Sequence, residues 1–276
     1  MPALETARRP DRNLAGVRLA WTLLAAAVAC QIAYPLVSGT ARDRLTVATV
    51  TVTFAVVVSH LVVRSGAGVA LRTFGLVCVA SAAVEALGVH TGFPFGEYSY
   101  GDGLGATVAG VPLVIPLAWS MTAYPALLVA RRLTRDRRAA ATALVGGWAL
   151  ASWDLFLDPQ MVEEGYWAWA DPSPALPGSP DVPLTNYAGW IVVSVLLMAL
   201  LDRTVPRAPG AADPGDLLPA VLYLWTYAAQ VLGNLAFFDR PAVGLIGGAA
   251  MGAVAVPFAL CRIGAARPGS ARAGRA

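Results

Sequence analysis

Eight apolar segments, each close to the length of helix that crosses a bilayer, follow one another through this chain and leave it almost no soluble alternative. They cover residues 17–37, 45–63, 73–89, 108–130, 139–157, 185–201, 217–238 and 243–261. A transmembrane helix takes roughly 17–25 such residues. With 57% hydrophobic against 13% charged residues, the stretches between them offer no second core. The expected fold is therefore all-α: a polytopic membrane helical bundle of about eight transmembrane helices. A short arm (1–16) precedes the membrane domain (17–261), and an Arg-rich tail (262–276) follows it.

Arginine orients the bundle. All 20 basic residues are Arg. Of these, 17 fall on one side: Arg8, Arg9, Arg12 and Arg18 at the start, Arg64 and Arg72, then Arg131, Arg132, Arg135, Arg137 and Arg138, then Arg203 and Arg207, and finally Arg262, Arg267, Arg272 and Arg275. Arg42, Arg44 and Arg240 remain on the other side. The positive-inside bias then puts both termini in the cytoplasm of a multi-pass plasma-membrane protein, and the Arg-, Ala- and Gly-rich composition suits a bacterial one.

The absence of lysine excludes a Schiff base to retinal or pyridoxal. With only His60 and His90, a His-rich di-iron oxygenase is excluded too, and His60 reads as structural. The three cysteines, Cys30, Cys78 and Cys261, lie in apolar segments and read as buried packing.

Two acids stand out because a carboxylate at membrane depth is costly and almost always faces a protein interior or a wet cavity. Glu85 lies near the outer end of the third span and Asp154 near the outer end of the fifth. Asp158 follows Asp154 by four residues, on the same helical face, until Pro159 stops the helix. At that level they meet the loop Phe93-Pro-Phe-Gly-Glu-Tyr-Ser-Tyr, so Phe93, Phe95, Glu97 and Tyr98 become candidates for binding an apolar substrate. The seventh span adds a polar stripe, Tyr223, Tyr227, Gln230 and Asn234. For Gln230 and Asn234, interhelical hydrogen bonding, worth about 0.6 kcal/mol per contact, and a place in a substrate site are equally open. Pro112, Pro116 and Pro125 predict a broken fourth span with a cavity lined by Trp119. Gly244, Gly248 and Gly252 suit close helix packing, within the bundle or between protomers. Glu163, Glu164, Asp171 and Asp181 read as a solvated acidic rim with a Pro-rich irregular connector.

The Phe93–Tyr100 loop, Gly110-Val-Pro-Leu-Val-Ile-Pro-Leu-Ala-Trp119, Trp153-Asp-Leu-Phe-Leu-Asp-Pro159 and Asn186-Tyr-Ala-Gly-Trp190 together resemble the carotenoid biosynthesis membrane-protein family. That family includes hydratases acting on γ-carotene-type and bisanhydrobacterioruberin-type substrates. The resemblance implies addition of water to the terminal double bond of an acyclic carotenoid, giving a tertiary alcohol with no cofactor. It makes the chain a carbon–oxygen lyase of the hydro-lyase type. Its partners are then the carotenoid, membrane lipid and other enzymes of the pathway, with no nucleic acid. In that reading a protonated carboxylic acid protonates the alkene, and the aromatic faces of Tyr98, Trp119, Trp153 and Trp190 stabilise the cation. A second carboxylate takes the proton of the attacking water. Asp154 is the expected acid, with Asp158 or Glu85 as its partner. A non-catalytic carotenoid-binding or transport protein is the alternative, since buried acids and proline-broken spans also suit transport. A prenyltransferase ranks third, because Asp154-x-x-x-Asp158 has no second Asp-rich motif beside it.

Overall fold

The computed structural model describes residues 9–135, 138–207 and 216–266, so the outer parts of both basic termini lie outside the described residues. Eight long helices account for most of it: α1 (Arg9–Ala33), α2 (Thr40–Ser65), α3 (Ala67–Thr91), α4 (Val114–Thr134), α5 (Ala139–Glu163), α6 (Leu184–Thr204), α7 (Leu217–Ala236) and α8 (Pro241–Ala266). Seven of them are long and apolar enough to cross a membrane. The exception is α7, whose Tyr223, Trp225, Tyr227, Gln230 and Asn234 dilute an otherwise apolar sequence. The molecule is an all-α polytopic membrane bundle. Leu71, Val79, Leu196, Leu245 and Leu260, on three of its outer helices, stand exposed where lipid would cover them.

The bundle is built around α4. In its most apolar stretch 83% of residues are buried, against 61% for α5 and 22–44% for the other five spans. Small residues allow this: Ala123, Ala126 and Ala130 are shut in completely or nearly so. Close approach elsewhere rests on glycine. A Cβ on Gly147 of α5 would lie 2.8 Å from the Val195 backbone of α6. The glycine series on α8 faces α7, where added Cβ atoms would meet Leu235, Val231 and the Tyr227 hydroxyl. That stripe therefore serves packing inside the bundle.

Several expectations are corrected. The fourth span is not broken by three prolines: Pro112 lies in a short strand before α4, Pro116 in its first turn, and only Pro125 inside it. A first-turn proline removes no intrahelical bond, because those N–H groups have no partner anyway. Pro159 does not stop α5, which runs on to Glu163. The turn beyond the proline is held from outside the helix, by ion pairs Arg42–Glu164 and Arg240–Glu163. Glu164 is thus a half-buried staple between helix ends, while Glu163 pairs with Arg240 and still belongs to the solvated rim. The Pro-rich connector contains a hairpin, β5 (Ala175–Leu176) with β6 (Ser179–Pro183), turning at Gly178 with φ 79°. All three cysteines are free, but Cys261 is exposed and Cys30 and Cys78 only half-buried. Cys261 faces outward, whereas Cys78 turns its thiol to α4, 3.4 Å from Ser120 Oγ.

At the end of the bundle that carries most of the described arginines, Arg131 in the last turn of α4 is buried against Asp202 at the end of α6. It donates 2.7 Å to Asp202 Oδ1 and also to the Asp202 and Val205 carbonyls, which the end of α6 leaves without helical partners. Removing one side of a buried pair costs about 3–5 kcal/mol when the other is left alone, and less here because Arg207 also reaches Asp202 Oδ2 at 2.6 Å. Arg131→Ala is therefore expected to melt well below the unaltered protein in detergent, while Arg132→Ala changes little. Equal melting of the two variants would show that the clamp is dispensable.

Candidate active site

Opposite the arginine-rich end, the Glu85 carboxylate is gripped by three donors from two other elements. Tyr98 and Tyr100, on strand β1 (Tyr98–Tyr100), donate to Oε2 at 2.5 and 2.8 Å, and Trp119 Nε1 of α4 donates to Oε1 at 2.8 Å. Burial, and then the Glu85 charge beside them, push both phenols well above their ordinary range, so they remain protonated donors. The loop reaches this point because α3 ends at Gly92, in a left-handed conformation (φ 72°) that favours glycine. Gly96 (φ 89°) then turns the chain back.

The second acidic group is on α5. Asp154 and Asp158, one helical turn apart, are 0% and 2% exposed and share a single side-chain amide. Asn186 Nδ2, from the first turn of α6, donates to Asp154 Oδ2 at 3.0 Å and also to Asp158 Oδ2. Trp167 Nε1 donates to the other Asp158 oxygen at 3.1 Å, whereas Asp154 Oδ1 has no hydrogen-bond partner among the described residues. None of the ion pairs among the described residues includes Glu85, Asp154 or Asp158.

A two-stranded antiparallel ribbon ties the two groups together. Strand β4 (Trp167–Trp169) pairs with β1 so that Tyr98 lies opposite Trp169 and Tyr100 opposite Trp167. The tyrosines hold Glu85 and the first tryptophan holds Asp158, so the ribbon fixes one acid site against the other. Trp169 Nε1 donates 2.9 Å to the Phe95 carbonyl, closing the ribbon on the loop. Beneath it Trp119 and Trp190 stack with centroids 4.1 Å apart and planes within 4°.

Between these groups lies a cavity of about 210 Å³. Of the residues expected at the site, Glu85, Asp158, Phe95, Tyr98, Trp119, Trp153, Trp190 and Gln230 line it. Asp154 sits behind Asp158. Phe93 and Glu97 are exposed, on the outside of the loop. Tyr227 points to α8, donating 3.2 Å to the Gly248 carbonyl, and Asn234 is buried against Gly244 with its amide on the Gln230 carbonyl. The α7 stripe therefore divides: Tyr223 and Gln230 face the cavity, Tyr227 and Asn234 the neighbouring helix. The reason is angular, since the i+4 steps along α7 drift around the helix and only part of the stripe can face one space.

The residues that reading missed are Tyr100, Trp167, Trp169 and Asn186. Asn186 carries no local signal. The other three do: Tyr98-Ser-Tyr100 and Trp167-Ala-Trp169 both alternate large and small with a period of two, the pattern of short strands.

Residues 45–259 match the carotenoid biosynthesis protein family. The chain belongs to that family. The matched stretch includes every residue of the acid sites and the ribbon, and leaves out α1 and Tyr34. Over 144 residues the chain is 35% identical to the bisanhydrobacterioruberin hydratase of Haloarcula japonica. That similarity covers 50% of this chain and 47% of the relative, so the chain spans about half the length of the curated relative it matches. No solved structure matches it.

The packing around Glu85 is testable. A Cβ on Gly88, one turn beyond Glu85 on α3, would lie 2.8 Å from the Tyr98 hydroxyl and 3.1 Å from Phe95. Gly88→Ala is expected to displace that donor from Glu85 and to lower the melting temperature of the inserted protein in detergent. Melting equal to that of the unaltered protein would mean that the Tyr98–Glu85 contact is unimportant.

Proposed function

We propose that the chain hydrates the terminal C=C of an acyclic carotenoid end group to a tertiary alcohol, without a cofactor. The observation that carries this is the pairing of two separate buried carboxyl sites across one aromatic cavity. One is a pair of neighbouring carboxyl groups with no cation in contact, and the other is a single carboxyl held by three donors. The hydratase name of the Haloarcula relative supports the same reaction class.

Two like charges so close in a dry site are not both carried, so the Asp154–Asp158 pair holds a proton. Asp158 is the member on the cavity wall, and we assign it the proton transfer first expected of Asp154. The alkene π pair takes that proton on the less substituted carbon, leaving a tertiary cation. The stacked Trp119–Trp190 pair lines the cavity, and the one face such a pair can offer is worth about 2 kcal/mol to a desolvated cation, to which the Glu85 carboxylate adds its charge. A water lone pair then forms the C–O bond, and Glu85 accepts the proton that water gives up. Proton relay back to the aspartate pair, through solvent, completes the cycle with no net redox change.

In the membrane, Arg64, Arg131, Arg132, Arg135, Arg203 and Arg207 gather at the end opposite the site, while Arg42 and Arg240 lie at the site's end. We therefore place the site near the outer face of a bacterial plasma membrane, with both termini, the arm 1–16 and the tail 262–276 in the cytoplasm. Expression in a bacterium making lycopene or its prenylated longer analogues tests the proposal. Pigments extracted from ordinary and oxygen-labelled water should contain a product heavier by one water, carrying label from the water. No new pigment from any of these substrates would dispose of the hydratase reading.

A further inference from the structure

Part of the cavity is built from different chemistry. Thr46, Thr49 and Thr53 present one face of α2 to it, and Tyr34, Tyr223 and Gln230 complete an uncharged wall of hydroxyls and an amide from the turn after α1, from α2 and from α7. Among the described residues, the acids lining the cavity, Glu85 and Asp158, come from α3 and α5. Tyr34 and Tyr223 are 8% and 4% exposed, and neither hydroxyl makes a well-formed hydrogen bond among the described residues. The Tyr34 hydroxyl interacts only loosely with the neighbouring Gln160 and Thr46 side chains. Buried hydroxyls are almost always satisfied, and two under-satisfied ones on the wall of one cavity point to a small ligand that both donates and accepts.

The wall also leads outward. Thr46 Oγ1 lies 3.2 Å from the Tyr166 hydroxyl, which donates 2.9 Å to Asp43 Oδ1 in the first turn of α2. A hydrogen-bonded line thus runs from the cavity to the half-buried Asp43 at the end of the bundle where the site lies.

We propose that this wall is the water subsite that supplies the nucleophile, with the Tyr34 and Tyr223 hydroxyls each anchoring water along it. The inference rests on the hydratase reading. A buried water needs two to four polar partners, which this wall offers. Its position has a chemical consequence. A tertiary cation in an aromatic cavity has two exits: water adds to carbon and gives its proton to Glu85, or a neighbouring C–H bond gives up its proton and restores an alkene. Water held in place decides for the first.

Tyr34→Phe, Tyr223→Phe and the double variant test this. Each keeps the ring and removes only an under-satisfied hydroxyl, so folding is retained. Protein in detergent or vesicles would be given lycopene in heavy water, and both the alcohol and the deuterium in recovered alkene measured. Alcohol formation should fall about three- to tenfold per hydroxyl, while deuterium enters the alkene at an equal or higher rate. Unchanged alcohol formation in the double variant would overturn the water subsite, as would a parallel fall in alcohol and exchange. If the unaltered protein neither forms alcohol nor exchanges deuterium, the hydratase reading itself fails and takes the subsite with it.

Discussion

Asp158→Asn is expected to lower carotenoid hydration by about a hundred- to ten-thousand-fold, the range typical of losing a general acid. Asparagine has nearly the same shape and keeps an oxygen for Trp167 Nε1, so the ribbon stays anchored. It has no proton to give. The measurement is the amount of hydrated pigment per unit of inserted protein, with bound carotenoid extracted from the purified variant as the control. Normal hydration would remove Asp158 from the mechanism. Asp154→Asn is the companion: it withdraws the rear carboxyl but leaves Asp158 on the wall, and should lose less. If it loses more, the two aspartates exchange roles.

Replacing Glu85 should separate charge from architecture. Glu85→Gln keeps an oxygen for Trp119 Nε1 and places an amide against Tyr98 and Tyr100, whose hydroxyls can turn to accept it. This variant should fold and bind carotenoid yet hydrate it about a hundredfold more slowly or worse, because the cation has lost its counter-charge and the water its base. Glu85→Ala leaves three buried donors without a partner, at about 1–3 kcal/mol each, and should accumulate poorly. Equal hydration by the glutamine variant and the unaltered protein would show that Glu85 is only a structural tie. The contrast between the two substitutions also guards against reading a folding defect as a catalytic one.

Much of the architecture was readable without coordinates because lipid imposes a simple rule. Backbone polar groups must be satisfied within each segment, so apolar stretches of the right length become helices, whatever surrounds them. The same rule made Glu85 and Asp154 conspicuous, since an acid in such a stretch needs a reason. Local rules failed where neighbours intervene. Pro159 reads as a helix stop, but α5 runs on, and Arg42 of α2 and Arg240 of the α7–α8 connection pair with the turn beyond it. Pro112 and Pro116 read as kinks, but the helix begins after the first and tolerates the second in its opening turn.

What the sequence alone determined, then, is the number and length of the helices, the bias of arginine to one end, and the presence of carboxyl groups at a depth where water is scarce. Those depend on composition within short windows. What only the tertiary structure decided is who meets whom. Glu85 receives Trp119 from 34 residues away, and the two aspartates share Asn186 from 28 and 32 residues away. The stripe on α7 splits between a cavity and α8 because neighbouring helices take different sides of it. Side-chain contacts across a bundle depend on helix rotation and on how closely glycines let backbones approach. Neither quantity is written in the spacing of residues along one helix.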